Sequence, residues 1–239
     1  MTAKRSSGTG MTRAIVLLSG GLDSATCLML AKREADEVYA LSFDYGQRHR
    51  VELERAHALA RRYGAAAHRV VRVELPDAAA SALTDPTREI PRNALGARPI
   101  PVTYVPARNT IFLAHAIAWA EAVGAGDVYI GANALDYSGY PDCRPEFLEA
   151  FERAANLGTK VGVEGASRFR IRAPLLSMTK AEIVRLASDL GLDFTLTSSC
   201  YDPSQEGIPC GACDSCLLRA KGFQEANLAD PLRHRPASR

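Results

Sequence analysis

What this chain lacks narrows its role first. None of its 239 residues belongs to an apolar run of the roughly 18 that a membrane span requires. The best candidate, residues 110–120, is interrupted by His115, so no membrane partner is expected. Excess charge is also missing. The 29 Lys and Arg nearly balance 27 Asp and Glu, for a formal net charge of +2. That argues against broad electrostatic capture of nucleic acid and leaves only local basic patches, such as the tail after residue 231. The opening MTAKRSSGTG has charges without the apolar core of a secretory signal. With Met11 behind it, it reads as a disordered leader or an upstream start, and a cytoplasmic protein is expected. No internal repeat is present. What remains, 47% hydrophobic and 23% charged residues, is the composition of an ordinary soluble globular protein.

Strand signals recur at 14–18, 37–43, 70–75, 127–130 and 169–173. Helical signals follow at 24–34, 49–63, 109–123 and 180–190, where apolar residues return at helical spacing. Leu53, Ala56, His57 and Ala60 mark one face of the second helix. Alternation of this kind, with strands too apolar to be half-exposed, predicts an α/β fold. Its core is a doubly wound, parallel, five-stranded sheet covered on both faces, with ligands at the carboxyl ends of the strands. Residues 76–106 hold several prolines and no period, as a loop serving a site would. The expected division is a leader at 1–12, a nucleotide-binding domain at 13–190, a zinc-binding C-terminal region at 191–231 with a short helix at 217–225, and a basic tail at 232–239.

Between the first strand and first helix stands LLSGGLDSATC (residues 17–27). Glycines there allow a sharp turn and let phosphate oxygens approach the amides, and the helix start adds unpaired N–H groups and a positive dipole end. Ser19 and Ser24 can add hydroxyl donors, and Asp23 could bind Mg²⁺. A helix cap alone would favour the same Asp and Ser. The lysine of a Walker loop is absent, and so is the glycine spacing of a dinucleotide fingerprint. S-G-G-x-D-S after a strand resembles instead the pyrophosphate loop of the ATP-pyrophosphatase superfamily, which cuts ATP between its α- and β-phosphates. A lysine then has to come from elsewhere. Lys180 opens a helix through a Thr-x-x-Glu capping box (Thr179, Glu182), where a cation opposes the helix dipole and packing alone would not select it.

Three polar segments lie after strands or at a helix start: DYGQRHR (44–50), VPARNT (105–110) and GANALDYSGYPDCR (131–144). Turn formers explain any one of them; three together suggest a site. Their aromatic rings and amide or carboxylate edges suit a flat heterocycle. Six cysteines are present, and four of them, Cys200, Cys210, Cys213 and Cys216, crowd together with two Cys-x-x-Cys turns sharing Cys213. Such crowding without an export signal favours a structural, tetrahedral Zn²⁺ over disulfides, a redox pair or an iron–sulfur cluster. Cys27 is expected in the core.

Taken together, SGGLDSATC, DYGQRH, YVPARNTIFL, GANALDYSGYPDCRPEF, the Thr-Lys-x-Glu-Ile helix start and TSSCYDP…PCGACDSCLLRAKGF are similar to the 7-cyano-7-deazaguanine synthase family, over nearly all of 14–231. The residues before Met11 and after Pro231 carry no such likeness, and Leu22 and Ala25 are non-polar variations within the loop. The resemblance implies a carbon–nitrogen ligase that makes the nitrile precursor of queuosine from 7-carboxy-7-deazaguanine, ammonia and ATP through adenylated intermediates. Nothing in the chain looks like a glutaminase domain, so free ammonia is the expected nitrogen source, and a homodimer is implied.

By the same resemblance Leu18, Ser19, Gly20, Gly21, Leu22, Asp23, Ser24, Ala25 and Thr26 would hold ATP with Mg²⁺. Asp23, Ser24 and Lys180 would serve catalysis, Lys180 on the phosphates. Substrate would meet Tyr45, Gln47 and Arg48 from the first polar segment and Arg108 and Asn109 from the second. Asn133, Asp136, Tyr137, Tyr140 and Asp142 would meet it from the third. Two rivals remain. A sulfur-delivering tRNA enzyme would need a reactive thiol outside the metal site, for which only Cys143 qualifies. A non-catalytic zinc module would find weak support in the basic tail.

Overall fold

A computed structural model describes residues 11–48, 50–75, 81–94, 100–133 and 140–232. Five strands, β1 (Arg13–Leu17), β2 (Glu37–Asp44), β3 (Ala67–Arg72), β4 (Asp127–Tyr129) and β5 (Arg170–Arg172), form one sheet in the order β3-β2-β1-β4-β5. Every neighbouring pair is parallel. The helices are α1 (Leu22–Glu34), α2 (Val51–Arg62), α3 (Arg108–Val123), α4 (Pro145–Gly158), α5 (Lys160–Val163), α6 (Lys180–Asp189) and α7 (Asp214–Ala226). Short 3-10 turns stand at Pro141–Cys143 and Phe194–Leu196.

The central strand explains the layering. Successive side chains of a strand point to opposite faces. Ala14 and Val16 therefore enter one core with side chains of α1, α2, α6 and α7, including Leu28, Leu59, Ile183 and Phe223. Ile15 and Leu17 enter the other with Leu113 and Trp119 of α3 and Leu148 of α4. A strand buried on both faces must be apolar throughout, and β1 is. A third, small cluster joins Ala82 and Ile90 of the long loop to Cys200, Cys213 and Cys216. The chain runs outward from β1 to β2 and β3, then returns through α3 to β4 on the other side of β1. The loops leaving β1 and β4 diverge there, opening a crevice at the carboxyl ends.

The doubly wound parallel sheet expected from the sequence is the one observed. The third strand differs. It is Ala67–Arg72, not 70–75, and pairs Tyr39 with Ala67 and Asp44 with Arg72. As an edge strand it is half-exposed, with Val70 at 50%, so its apolar run is not evidence of a strand covered on both faces. On α2 the buried stripe is Ala56, Leu59 and Ala60; His57 is exposed, one position off the expected face. Helix α4 gave no separate signal in the sequence analysis, although Pro145 at its first turn is an ordinary helix start. α7 is longer than expected because it begins on the cysteine turn itself.

Leu113 is fully buried between α3 and the sheet. Leu113→Ala is expected to lower the unfolding free energy by about 2–5 kcal/mol, read as a lower urea midpoint at unchanged slope.

Candidate active site

The loop after β1 is shaped by two close approaches at glycines. Gly20 has φ +85°, and a Cβ there would run into the backbone carbonyl of Glu52 on α2. Gly131, after β4, lies so near the start of α1 that a Cβ would sit 3.0 Å from Ser24 N and from the Asp23 carbonyl carbon. The loop is therefore clamped between α2 and the β4 loop. Within it Ser24 Oγ accepts the Ser19 N–H (3.2 Å), donates to the Gly21 carbonyl (3.0 Å) and lies 3.1 Å from Ser19 Oγ. Gly21 is the N-cap of α1, and no side chain caps that helix. Its first amides are left without a side-chain acceptor, which is the arrangement that receives an anion.

Lys180 comes to the same place from α6. Its Nζ lies 2.9 Å from both carboxylate oxygens of Asp23 in the first turn of α1, and the residue is 8% exposed. The helix start that presents it is fixed by the capping box: Thr179 Oγ1 accepts the Glu182 N–H at 3.3 Å, and Glu182 Oε2 accepts the Thr179 N–H at 2.7 Å. Gly222 of α7 packs so tightly on the stem of Lys180 that a Cβ there would overlap it. A buried ammonium at a helix N-terminus is unfavourable in two ways, and the paired carboxylate offsets both.

Beyond this pair opens a cleft of about 250 Å³ over the carboxyl ends of β1, β2 and β4, with Leu17, Leu41, Phe43 and Ile130 on its floor. Phe43 and Phe112 stack with centroids 3.9 Å apart and planes 2° from parallel. Arg108, at the start of α3, donates from Nη1 to the Tyr45 hydroxyl at 3.3 Å and places its guanidinium 5.7 Å from that ring's centre. Glu52 also faces the cleft. Burial pushes its carboxyl up to about 7, with Arg108 opposing the shift. Ser198, Ser199, Tyr201 and Cys200 close the far wall.

Residues 13–227 match the model of a family described as queuosine biosynthesis protein QueC. The chain belongs to the QueC family.

Individual relatives match over nearly the same span. A 7-cyano-7-deazaguanine synthase of Geobacter sulfurreducens is 60% identical over 93% of this chain and 93% of its own. That of Geotalea daltonii is 59% identical over 92% and 95%, and that of Methylococcus capsulatus 56% over 94% and 100%. Among solved structures it is similar to an NMN synthetase from Francisella tularensis, 14% identical over 92% of this chain and 89% of that one, with a TM-score of 0.48. A QueC protein is an enzyme. No helix among the described residues is long and apolar enough to cross a membrane.

In this QueC chain the expected phosphate-binding residues separate into two groups. Leu18, Ser19, Gly21, Leu22, Asp23, Ser24 and Lys180 line the cleft. Gly20 shapes the loop from behind. Ala25 and Thr26 are fully buried in the core, and the Thr26 hydroxyl donates to the Leu22 carbonyl within α1 at 2.8 Å, so neither side chain reaches the cleft.

Of the expected substrate residues, Tyr45, Gln47, Arg48, Arg108, Asn109, Asn133 and Tyr140 line it. Several are occupied by the protein itself. Gln47 spans Tyr45 N and the Phe43 carbonyl. Arg48 donates to the carbonyls of Pro86 and Arg88. Asn133 donates to those of Leu175 and Met178. Asp142 is buried away from the cleft and accepts the Asn109 N–H at 2.9 Å, so it holds the start of α3. Asp136 and Tyr137 lie outside the described residues. Glu52, Phe112 and Ser198 also line the cleft, though no motif in the sequence marks them as site residues. Glu52 stands in a helix turn rather than a glycine-rich segment, and no local pattern marks it. Cys143 is buried, accepts from Asn109 Nδ2 at 3.3 Å, and burial pushes its thiol up to about 11. That is the opposite of a reactive sulfur carrier.

The four expected zinc residues are together. The sulfur atoms of Cys200, Cys210, Cys213 and Cys216 lie within 4.8 Å of one another, and all six cysteines are free thiols. Backbone N–H groups point at the sulfurs: Asp202 and Cys210 at Cys200, Cys213 at Cys210, and Tyr201 at Cys213, at 3.1–3.4 Å. These amides stabilise thiolate, the form that binds metal, so four convergent thiols on one turn and one helix start fit a closed tetrahedral site.

Two outcomes follow from this geometry. Asp142→Ala removes the acceptor of a buried amide and is expected to cost about 1–3 kcal/mol of stability, read by denaturant unfolding, while Asp142→Asn loses less. Chelation should remove about one zinc per chain and lower Tm, with hydrogen exchange rising first around Cys200–Cys216; a protein that keeps its Tm while metal-free would remove the structural role.

Proposed function

We propose that this chain converts 7-carboxy-7-deazaguanine and ammonia into 7-cyano-7-deazaguanine at the expense of ATP, releasing AMP and pyrophosphate, in the supply of the queuosine precursor. One observation carries the reading: the uncapped start of α1, the Gly20–Gly21 turn and the buried Lys180–Asp23 pair converge at one end of the cleft. They form an anion-holding end beside an aromatic, carboxyl-terminal cleft suited to a flat heterocycle.

In this reading ATP enters with Mg²⁺ and lays its β- and γ-phosphates on the loop amides of residues 19–24. Both oxygens of Asp23 accept from Lys180, so Asp23 would hold Lys180 in place beside the phosphates, and Mg²⁺ bound with ATP would supply charge neutralisation there. The substrate carboxylate attacks the α-phosphorus, a P–O bond to pyrophosphate breaks, and an acyl adenylate forms. Ammonia adds to its carbonyl carbon and AMP leaves, giving the amide. The amide oxygen is adenylated in turn, and loss of AMP with the nitrogen proton leaves the nitrile. Fixed amides and the Lys180 ammonium stabilise the charge that develops on the departing pyrophosphate. Arg108 and Tyr45 hold the heterocycle's polar edge, and the Phe43–Phe112 stack provides an apolar wall. Zinc stays with the four cysteines and takes no part in the chemistry, since four thiolates leave no position for water. The division at residue 190 is one of roles, nucleotide before it and metal after it, because Phe223 of α7 shares the main core. The enzyme works in the cytoplasm as a homodimer.

With ATP, ammonium and 7-carboxy-7-deazaguanine, mass spectrometry should find the nitrile, and the nucleotide product should be AMP. ADP and orthophosphate alone would end this reading. Lys180→Ala should lower kcat/KM about 10²–10³-fold, and Gly20→Ala should match it through displacement of the loop from α2.

A further inference from the structure

The nitrile-forming step needs a base, and the ionisable groups of the cleft can be taken in turn. Among the described residues two carboxyls line it, Asp23 and Glu52. Asp23 is committed, both oxygens accepting from Lys180 at 2.9 Å. Arg219 is committed as well, its guanidinium forked on Asp230 at 2.7 and 3.0 Å. Arg48 is spent on two loop carbonyls. The Cys143 thiol is pushed up to about 11, and burial raises the hydroxyls of Tyr45 and Tyr140. No histidine lines the cleft among the described residues. Glu52 is different. Among the described residues its side chain has no hydrogen-bond or ion-pair partner, while its own backbone carbonyl abuts Gly20 of the phosphate loop. The residue that carries the carboxyl is thus anchored against the phosphate loop, with Arg108 from α3 and Tyr45 from the β2 loop as its charged and titratable neighbours.

We propose that Glu52 is the catalytic base that takes the nitrogen-bound proton when the adenylated amide collapses to the nitrile. The inference rests on the proposed function. In this step the base removes the remaining N–H proton, the nitrogen's electron pair forms the second π bond to carbon, and the C–O bond breaks with AMP as the leaving group. Glu52 ends as the neutral acid and returns its proton to solvent before the next turnover. Its carboxyl titrates at about 7, close to working pH, where a general base is most effective. The base form exists above that value, so the elimination rate rises with pH through about 7 and levels off. The same carboxylate, facing a cleft that must admit ammonium, is placed to take a proton from ammonium at the earlier amide-forming step.

The test supplies the amide, 7-amido-7-deazaguanine, with ATP and follows nitrile and AMP across pH 5.5–9. Glu52→Gln keeps the shape and should lower kcat for nitrile about 10²–10⁴-fold, with KM for the amide little changed and the limb near pH 7 abolished. Glu52→Asp should restore part of the rate and the limb. Starting from the acid, the glutamine variant should accumulate amide. A glutamine variant that keeps the wild-type kcat or limb, or loses the rate only through KM, would overturn the base assignment while the proposed function stands. A wild-type enzyme that makes no nitrile from either substrate would overturn both. Thermal unfolding of the variant should match wild type, since the carboxyl holds nothing in place.

Discussion

A lysine ammonium in the first turn of a helix, with only 8% of its surface exposed, stands only if something nearby carries the opposite charge. Asp23 is that charge, and the consequences spread outward. The pair joins α6 to α1 on one face of the sheet, so the helix that follows β5 is locked to the loop that follows β1. Gly222 on α7 leaves just enough room for the lysine stem, which ties the C-terminal helix to the same point. Three elements far apart in sequence thus meet on one ion pair. Removing either partner alone strands a buried charge, a larger penalty than the pair is worth when intact.

The sheet supplies the second constraint. Because β1 is central and buried on both faces, its carboxyl end cannot shift, and the loops leaving it and β4 must part there. The crevice between them is lined from both sides, by Ser19 and Tyr45 after β1 and β2 and by Asn133 and Lys180 after β4 and β5. The long loop contributes less by its own structure than by attachment. Asn93 N–H donates to the Ala212 carbonyl at 2.9 Å, Arg92 bridges to Cys213, and Ala82 and Ile90 pack on the cysteines. The cysteine cluster and the cleft wall are therefore one piece.

Much of this was legible in the chain itself. Apolar strands alternating with helical stripes fix a parallel sheet, and S-G-G-x-D-S after the first of them fixes a glycine turn into an uncapped helix start. The spacing of four cysteines fixes their convergence, and the capping box at Thr179 fixes the turn that carries Lys180. The rest depends on partners that no local pattern names. β3 is set by pairing with β2, so its bounds moved by three residues. Ala25 and Thr26 look like loop residues but face the core because the helix begins at Leu22. Asp142 resembles a ligand and is a cap, a difference set by an amide 33 residues away. Glu52 sits in an unremarkable helix turn and reaches the cleft only because α2 docks on Gly20.

That docking has a mechanical meaning. The peptide group of Glu52 is the abutment on which the glycine turn leans, and the side chain of the same residue looks into the cavity. Any tilt of α2 must carry the turn and the carboxylate together, like two teeth on one gear. The spacing between the glycine turn and that side chain is thus set by the packing of one helix turn, Glu52 to Ala56, on Gly20.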